Sequence, residues 1–127
     1  MRYQVFNDDT HGSVTASADG FAISRPHATL AATVHSAGAL TVRADKLALP
    51  AEEGIQPFAE VGSAGALTHE ILTVASAQKA GGTHGAFAVS REGAGWRVRG
   101  SHNGRAVAVL ITPTGEGPPD VVVERSA

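Results

Sequence analysis

The dipeptide Asn103-Gly104 constrains this chain more than any other feature, because it sets a strand register for the residues on both sides of it. A type I′ hairpin turn needs φ > 0 at both central positions, and Asn and Gly accept that conformation most readily. Closing the turn pairs His102 with Arg105, Gly100 with Val107, Val98 with Val109 and Trp96 with Ile111. Facing residues share a side of the sheet, so Trp96, Val98, Val107, Val109 and Ile111 form one apolar face. A four-residue loop at Glu92-Gly93-Ala94-Gly95 adds a third strand, with Val89 opposite Val98 and Phe87 opposite Gly100. Three strands agree on one core face, and the single Trp of the chain sits in it.

The rest of the chain reads as shorter hairpins. Arg2 to Phe6 is a strand, followed by a polar turn through Asn7 to Gly12. In Ser13 to Arg25, a turn at Asp19-Gly20 pairs Ala18 with Phe21 and Ala16 with Ile23. Residues 28 to 44 suggest a third hairpin around Ser36-Ala37-Gly38, with Val34 facing Leu40, Ala32 facing Val42 and Leu30 facing Ala44. Lys46 to Gly62 is irregular, with Phe58 as an anchor. Ser63 to Ala80 places Leu67, Ile71, Val74 and Ala75 at helical spacing, with Gly81-Gly82 as a helix stop. Val121 to Glu124 is a final strand. The expected fold class is α+β, mostly antiparallel β: a hairpin-built sheet, sandwich or partly closed barrel with one packed helix over about residues 63–80. At 127 residues it is expected to form a single domain spanning 1–127, long enough to bury about two-thirds of its unfolded surface.

Composition narrows the function classes. Ten Lys plus Arg against twelve Asp plus Glu leave a formal charge of −2, which argues against general nucleic-acid binding. The absence of Cys removes disulfides and thiolate metal sites. No segment approaches the roughly 18 consecutive apolar residues of a membrane helix, and the first residues hold no apolar run of signal-peptide type. The expected location is the cytoplasm or an assembled particle such as a virion, with no membrane partner.

The six His residues fall in no metal or catalytic motif. Asp8, Asp9 and His11 are close enough in sequence to suggest a cation site, although a turn that uses Asp for backbone bonding explains them equally. No cofactor and no catalytic residue is indicated: there is no nucleophile elbow, and Gly81-Gly82-Thr83-His84-Gly85 lacks the Lys of a phosphate loop. The carboxylates, Glu52-Glu53, Glu60 and Asp120 among them, are scattered. The strongest surface feature is basic. Arg97 and Arg99 alternate on the side of the meander away from Trp96, flanked by Ala106, Ala108 and Leu110, with Arg91 and Arg105 nearby. Such a face suits a partner surface, a carboxylate or a phosphate. Three function classes follow. The leading one is a non-catalytic structural or interaction protein, homo-oligomeric or attached to a larger particle, of the capsid-decoration or tail-component kind. The others are a small enzyme or metal-dependent hydrolase with a His/Asp/Glu site built from loops, and a binding module for an anionic ligand or acidic peptide.

Overall fold

The computed structural model describes residues 2–4 (backbone only), 12–48, 50 and 56–124. The chain divides into two compact units, Met1–Gly82 and Thr83–Ala127. Every regular element among the described residues is a strand. Among the described residues the sheets are three and open, which corrects the α+β expectation and the partly closed barrel.

In the first unit, β2 (Ser13–Ala16), β3 (Gly20–Ser24), β4 (Ala28–His35) and β7 (Leu72–Lys79) form one antiparallel sheet in that order. A second sheet has the order β1 (Arg2–Gln4), β6 (Pro57–Ser63), β5 (Leu40–Lys46). The core joins the two: Phe21, Ala32 and Val34 from the larger sheet meet Ala59 and Val61 from the smaller, with Ile23, Leu30, Leu40 and Val42 around them. Two antiparallel sheets with alternating inward residues make a small sandwich.

Several local expectations change. The β2–β3 register is Ala16 with Phe21 and Val14 with Ile23, two residues away from the expected one; Phe21 and Ile23 stay on the core side, joined by Val14, whereas Ala16 and Ala18 are exposed. The turn is Ala18-Asp19, closed by the Ser17 N–H donating to the Gly20 carbonyl at 2.9 Å. Gly20 serves a different need from the expected turn: a Cβ there would stand 2.1 Å from the Ala32 carbonyl oxygen. The expected hairpin over 28–44 is a corner between sheets. β4 pairs with β3 and β7, while β5 pairs with β6. Ala32, Val34, Leu40 and Val42 still share a core, because an apolar face is covered equally well from across a sandwich. The segment expected to be irregular contains β6, which has neighbours on both sides and buries Phe58, Ala59 and Val61.

The helix expected over 63–80 is absent. Leu67, a member of its apolar stripe, is fully exposed, and β7 occupies Leu72–Lys79. From Val74 onward burial along β7 has period two: Val74, Ser76 and Gln78 are covered, whereas Ala75, Ala77 and Lys79 are exposed. β4 offers an eight-residue edge, and pairing all of β7 along it outweighs the modest helical preference of an Ala-containing segment with β-branched Thr73 and Val74. Gly81 is therefore a turn residue, at φ 80°, and the Gly82 N–H donates to the Lys79 carbonyl at 2.9 Å. That is the positive φ a type II turn requires at its third position.

The second unit is an antiparallel sheet in the order β11 (Asp120–Val123), β10 (Arg105–Thr112), β9 (Gly95–His102), β8 (Ala86–Glu92). Its β8–β9–β10 register agrees with the sequence at every expected pair. Asn103 and Gly104 have φ of 50° and 72°, the conformation that the turn requires. Trp96 and Val98 are buried on one side. The β8–β9 ladder continues to Glu92 and Gly95, so that connection is shorter than expected.

Candidate functional site

The pleat of the second unit divides the five expected surface residues into two groups. Arg97 faces Leu110 on β10 and Ser90 on β8, and Arg99 faces Ala108 and Ala88. Those residues occupy the side away from Trp96. Arg91 faces Trp96, and Arg105 faces His102, so both belong to the opposite side. The Arg91 guanidinium carbon lies 4.5 Å from the Trp96 ring centroid, a cation–π distance.

Arg97 is engaged from both directions. Its Nε and Nη2 donate to the two carboxylate oxygens of Glu92, and its Nη1 donates to Glu124. Glu92 reaches it from the end of β8, and Glu124 from the residue after β11. The hydrogen bond from Arg97 holds the Glu92 carboxyl below its ordinary range, and the Glu92 and Glu124 contacts raise the Arg97 guanidinium above its own. An incoming anion would have to displace two carboxylates from this fork. Arg99 is more open, with its side chain 63 % exposed and Nη2 at 3.8 Å from Glu124. The face therefore carries a compensated cation at Arg97, a second cation at Arg99, and the apolar pair Ala108 and Leu110.

Sequence reasoning named the last strand but not its importance. β11 pairs with β10 from Val109 opposite Val123 to Thr112 opposite Asp120, and among the described residues no strand lies beside its other edge. Val121, Val122 and Val123 are 53 %, 48 % and 66 % exposed. Leu67 is the other exposed large hydrophobic residue among the described residues. The signal was present in the letters. Three consecutive Val residues stand between Asp120 and Glu124, so both sides of the strand carry Val whichever way it faces.

The other candidates stay dispersed. Among the described residues, no group of three or more His, Cys, Asp or Glu is placed to hold a metal ion. Asp8, Asp9 and His11 lie outside the described residues, as do Glu52 and Glu53. Glu60 accepts from Arg43 Nε at 2.8 Å, and the same guanidinium reaches Asp45 at 2.6 Å. His69 Nδ1 is 3.0 Å from Ser63 Oγ. An open hollow of ≈ 270 Å³ lies over Thr15, Ala22 and Ala31, lined by small side chains and Phe21. No helix of the described residues is long and apolar enough to cross a membrane. No protein-family model, curated protein or solved structure matches the chain.

Proposed function

We propose that this chain is a non-catalytic assembly module, whose role is to join copies of itself or to attach to a larger protein particle. The observation that carries this reading is β11, a sheet edge that presents three exposed Val residues and, among the described residues, no strand on its outer side. Natural sheets usually blunt such an edge with charge, with a bulge or with a covering segment. Where an edge stays open and apolar, strand addition supplies main-chain hydrogen bonds and side-chain contacts together. The neighbouring face supports the same reading: Arg97 is already neutralised by its own carboxylates, and Ala108 and Leu110 widen the apolar surface beside the edge. The anion-binding alternative is less well supported for the same reason.

Sedimentation velocity over a concentration series tests the proposal. The expected result is a mass that rises above that of one protomer as concentration increases. A mass of one protomer at every concentration, together with no attachment to particles of its source, would contradict it.

A further inference from the structure

We infer that β11 is a self-complementary docking edge, to which a second copy of this chain adds its own β11 antiparallel, centred on Val122. This rests on the assembly reading above and names its partner and its register. The argument starts from the backbone. The Glu124 N–H donates to the Ala108 carbonyl at 2.8 Å. In an antiparallel ladder, facing residues alternate between pairs that exchange both hydrogen bonds and pairs that exchange none. Glu124, Val122 and Asp120 therefore direct their N–H and C=O groups toward β10. Val121 and Val123 direct theirs toward the open edge.

Two outward residues separated by one inward residue match a copy of themselves in one register. With Val122 opposite Val122 of the partner subunit, Val121 exchanges two hydrogen bonds with Val123 of the partner subunit. The symmetry repeats the pair, so four N–H to C=O bonds form across an isologous contact. Other registers lose this match. Centring on Val121 sets Val123 against Pro119 of the partner subunit, which has no N–H. Centring on Val123 runs Val121 past the end of the strand. A slip of one residue sets outward groups against inward ones.

Side chains agree with the backbone. Val121 and Val123 share the Trp96 side of the sheet, and Val122 lies on the Arg97 side with Leu110. The contact thus places β-branched pairs on both sides of the joined sheet. At its ends Asp120 faces Glu124 of the partner subunit. The charge of Glu124 is compensated within its own subunit, by Arg97 directly and by Arg99 at 3.8 Å. Two four-residue strands cover less than the roughly 1,200–2,000 Å² of a stable interface. The contact is therefore weak and reversible.

The chain has no Cys, so Val122→Cys introduces a single thiol. Non-hydrogen-bonded antiparallel partners have Cα atoms about 4.5 Å apart, within disulfide reach. Two copies of residue 121 stand about 9 Å apart in the same register, beyond that reach. Under mild oxidation of the full chain, Val122→Cys is expected to form a covalent dimer several-fold faster than Val121→Cys, Val123→Cys or a control at exposed Ala37. Mixing the Val121→Cys and Val123→Cys proteins is expected to restore cross-linking between them. Val121→Pro, which removes an outward N–H and no bond to β10, is expected to abolish association while Trp96 fluorescence stays native. If the protein assembles with concentration but Val122→Cys cross-links no faster than the Ala37→Cys control, the edge is not the contact and only this inference falls. A protein that stays monomeric throughout and attaches to no particle of its source overturns the assembly reading as well. The cross-linking comparison holds even if Val121→Pro fails to fold.

Discussion

Trp96→Ala should cost the second unit about 3–5 kcal/mol. Trp96 is 6 % exposed, between Ile111 on β10 and Arg91 on β8. A Trp side chain buries about 150–250 Å², which at about 25 cal/mol per Å² corresponds to roughly 4–6 kcal/mol. The Ala that replaces it retains part of that, which leaves about 3–5 kcal/mol, the usual range for a buried Trp truncation. The stacked Arg91 adds about 0.5–1 kcal/mol at a site of this exposure, so packing outweighs the cation–π contact. Arg91→Gln should accordingly lose less than a third of what Trp96→Ala loses. Urea unfolding followed by far-UV circular dichroism reads both variants. In the wild type and in Arg91→Gln, the single Trp identifies the transition that belongs to this unit. A unit this small has only a few kcal/mol of stability, so Trp96→Ala is also expected to remove its cooperative transition near room temperature. A loss below about 1 kcal/mol would mean that Trp96 does not organise the sheet.

Other consequences concern the turns, one close approach and one titration. Gly100→Ala would place a Cβ 1.9 Å from the Ala86 carbonyl oxygen, so β8 must separate from β9; a loss of about 1–3 kcal/mol is expected in the same urea assay. Replacing Asn103-Gly104 by Val-Val forces β-branched residues into positive φ at both positions, with about 1–3 kcal/mol of strain at each; thermal unfolding should show a large loss without any core contact having changed. Burial lowers the pKa of His35, and the charge of Asp19 only partly opposes this. The unfolded chain therefore takes up that proton at a higher pH than the folded one, so stability of the first unit falls as pH drops below about 6.5. His35→Gln should flatten this slope in melts between about pH 7.5 and pH 5.

The parts of the fold that were legible in the letters are those whose turns decide the register locally. Asn103-Gly104 requires positive φ, and the pairing of Trp96 to His102 with Arg105 to Ile111 follows from it; the Glu92–Gly95 connection adds Phe87 and Val89 in the same way. Asp19-Gly20 has the same appearance, yet Gly20 is needed where β3 approaches Ala32, and the turn moves back to Ala18-Asp19. Alternation still placed Phe21, Ile23, Ala32 and Val34 on the core side, because a two-residue shift preserves the faces. Pairing across sheets left no comparable mark. Leu40 and Val42 meet Ala32 and Val34 through the core rather than along a ladder, and period two is the same in both cases. β7 was hidden because Leu67, Ile71, Val74 and Ala75 satisfy a helical spacing, while the edge of β4 that selects the strand lies far away in sequence. At the candidate surface, alternation placed Arg97 and Arg99 correctly together. The ion pair with Glu124 was not readable, since it depends on β11 pairing back onto β10.

The most direct measurement of the central claim is amide hydrogen exchange along β11, followed by NMR at low and high protein concentration. Val122 and Glu124, whose N–H groups point to β10, should be protected at both. Val121 and Val123 should exchange rapidly when dilute and become protected together as concentration rises. If the protein assembles and their exchange does not slow, β11 is not where copies of this chain meet.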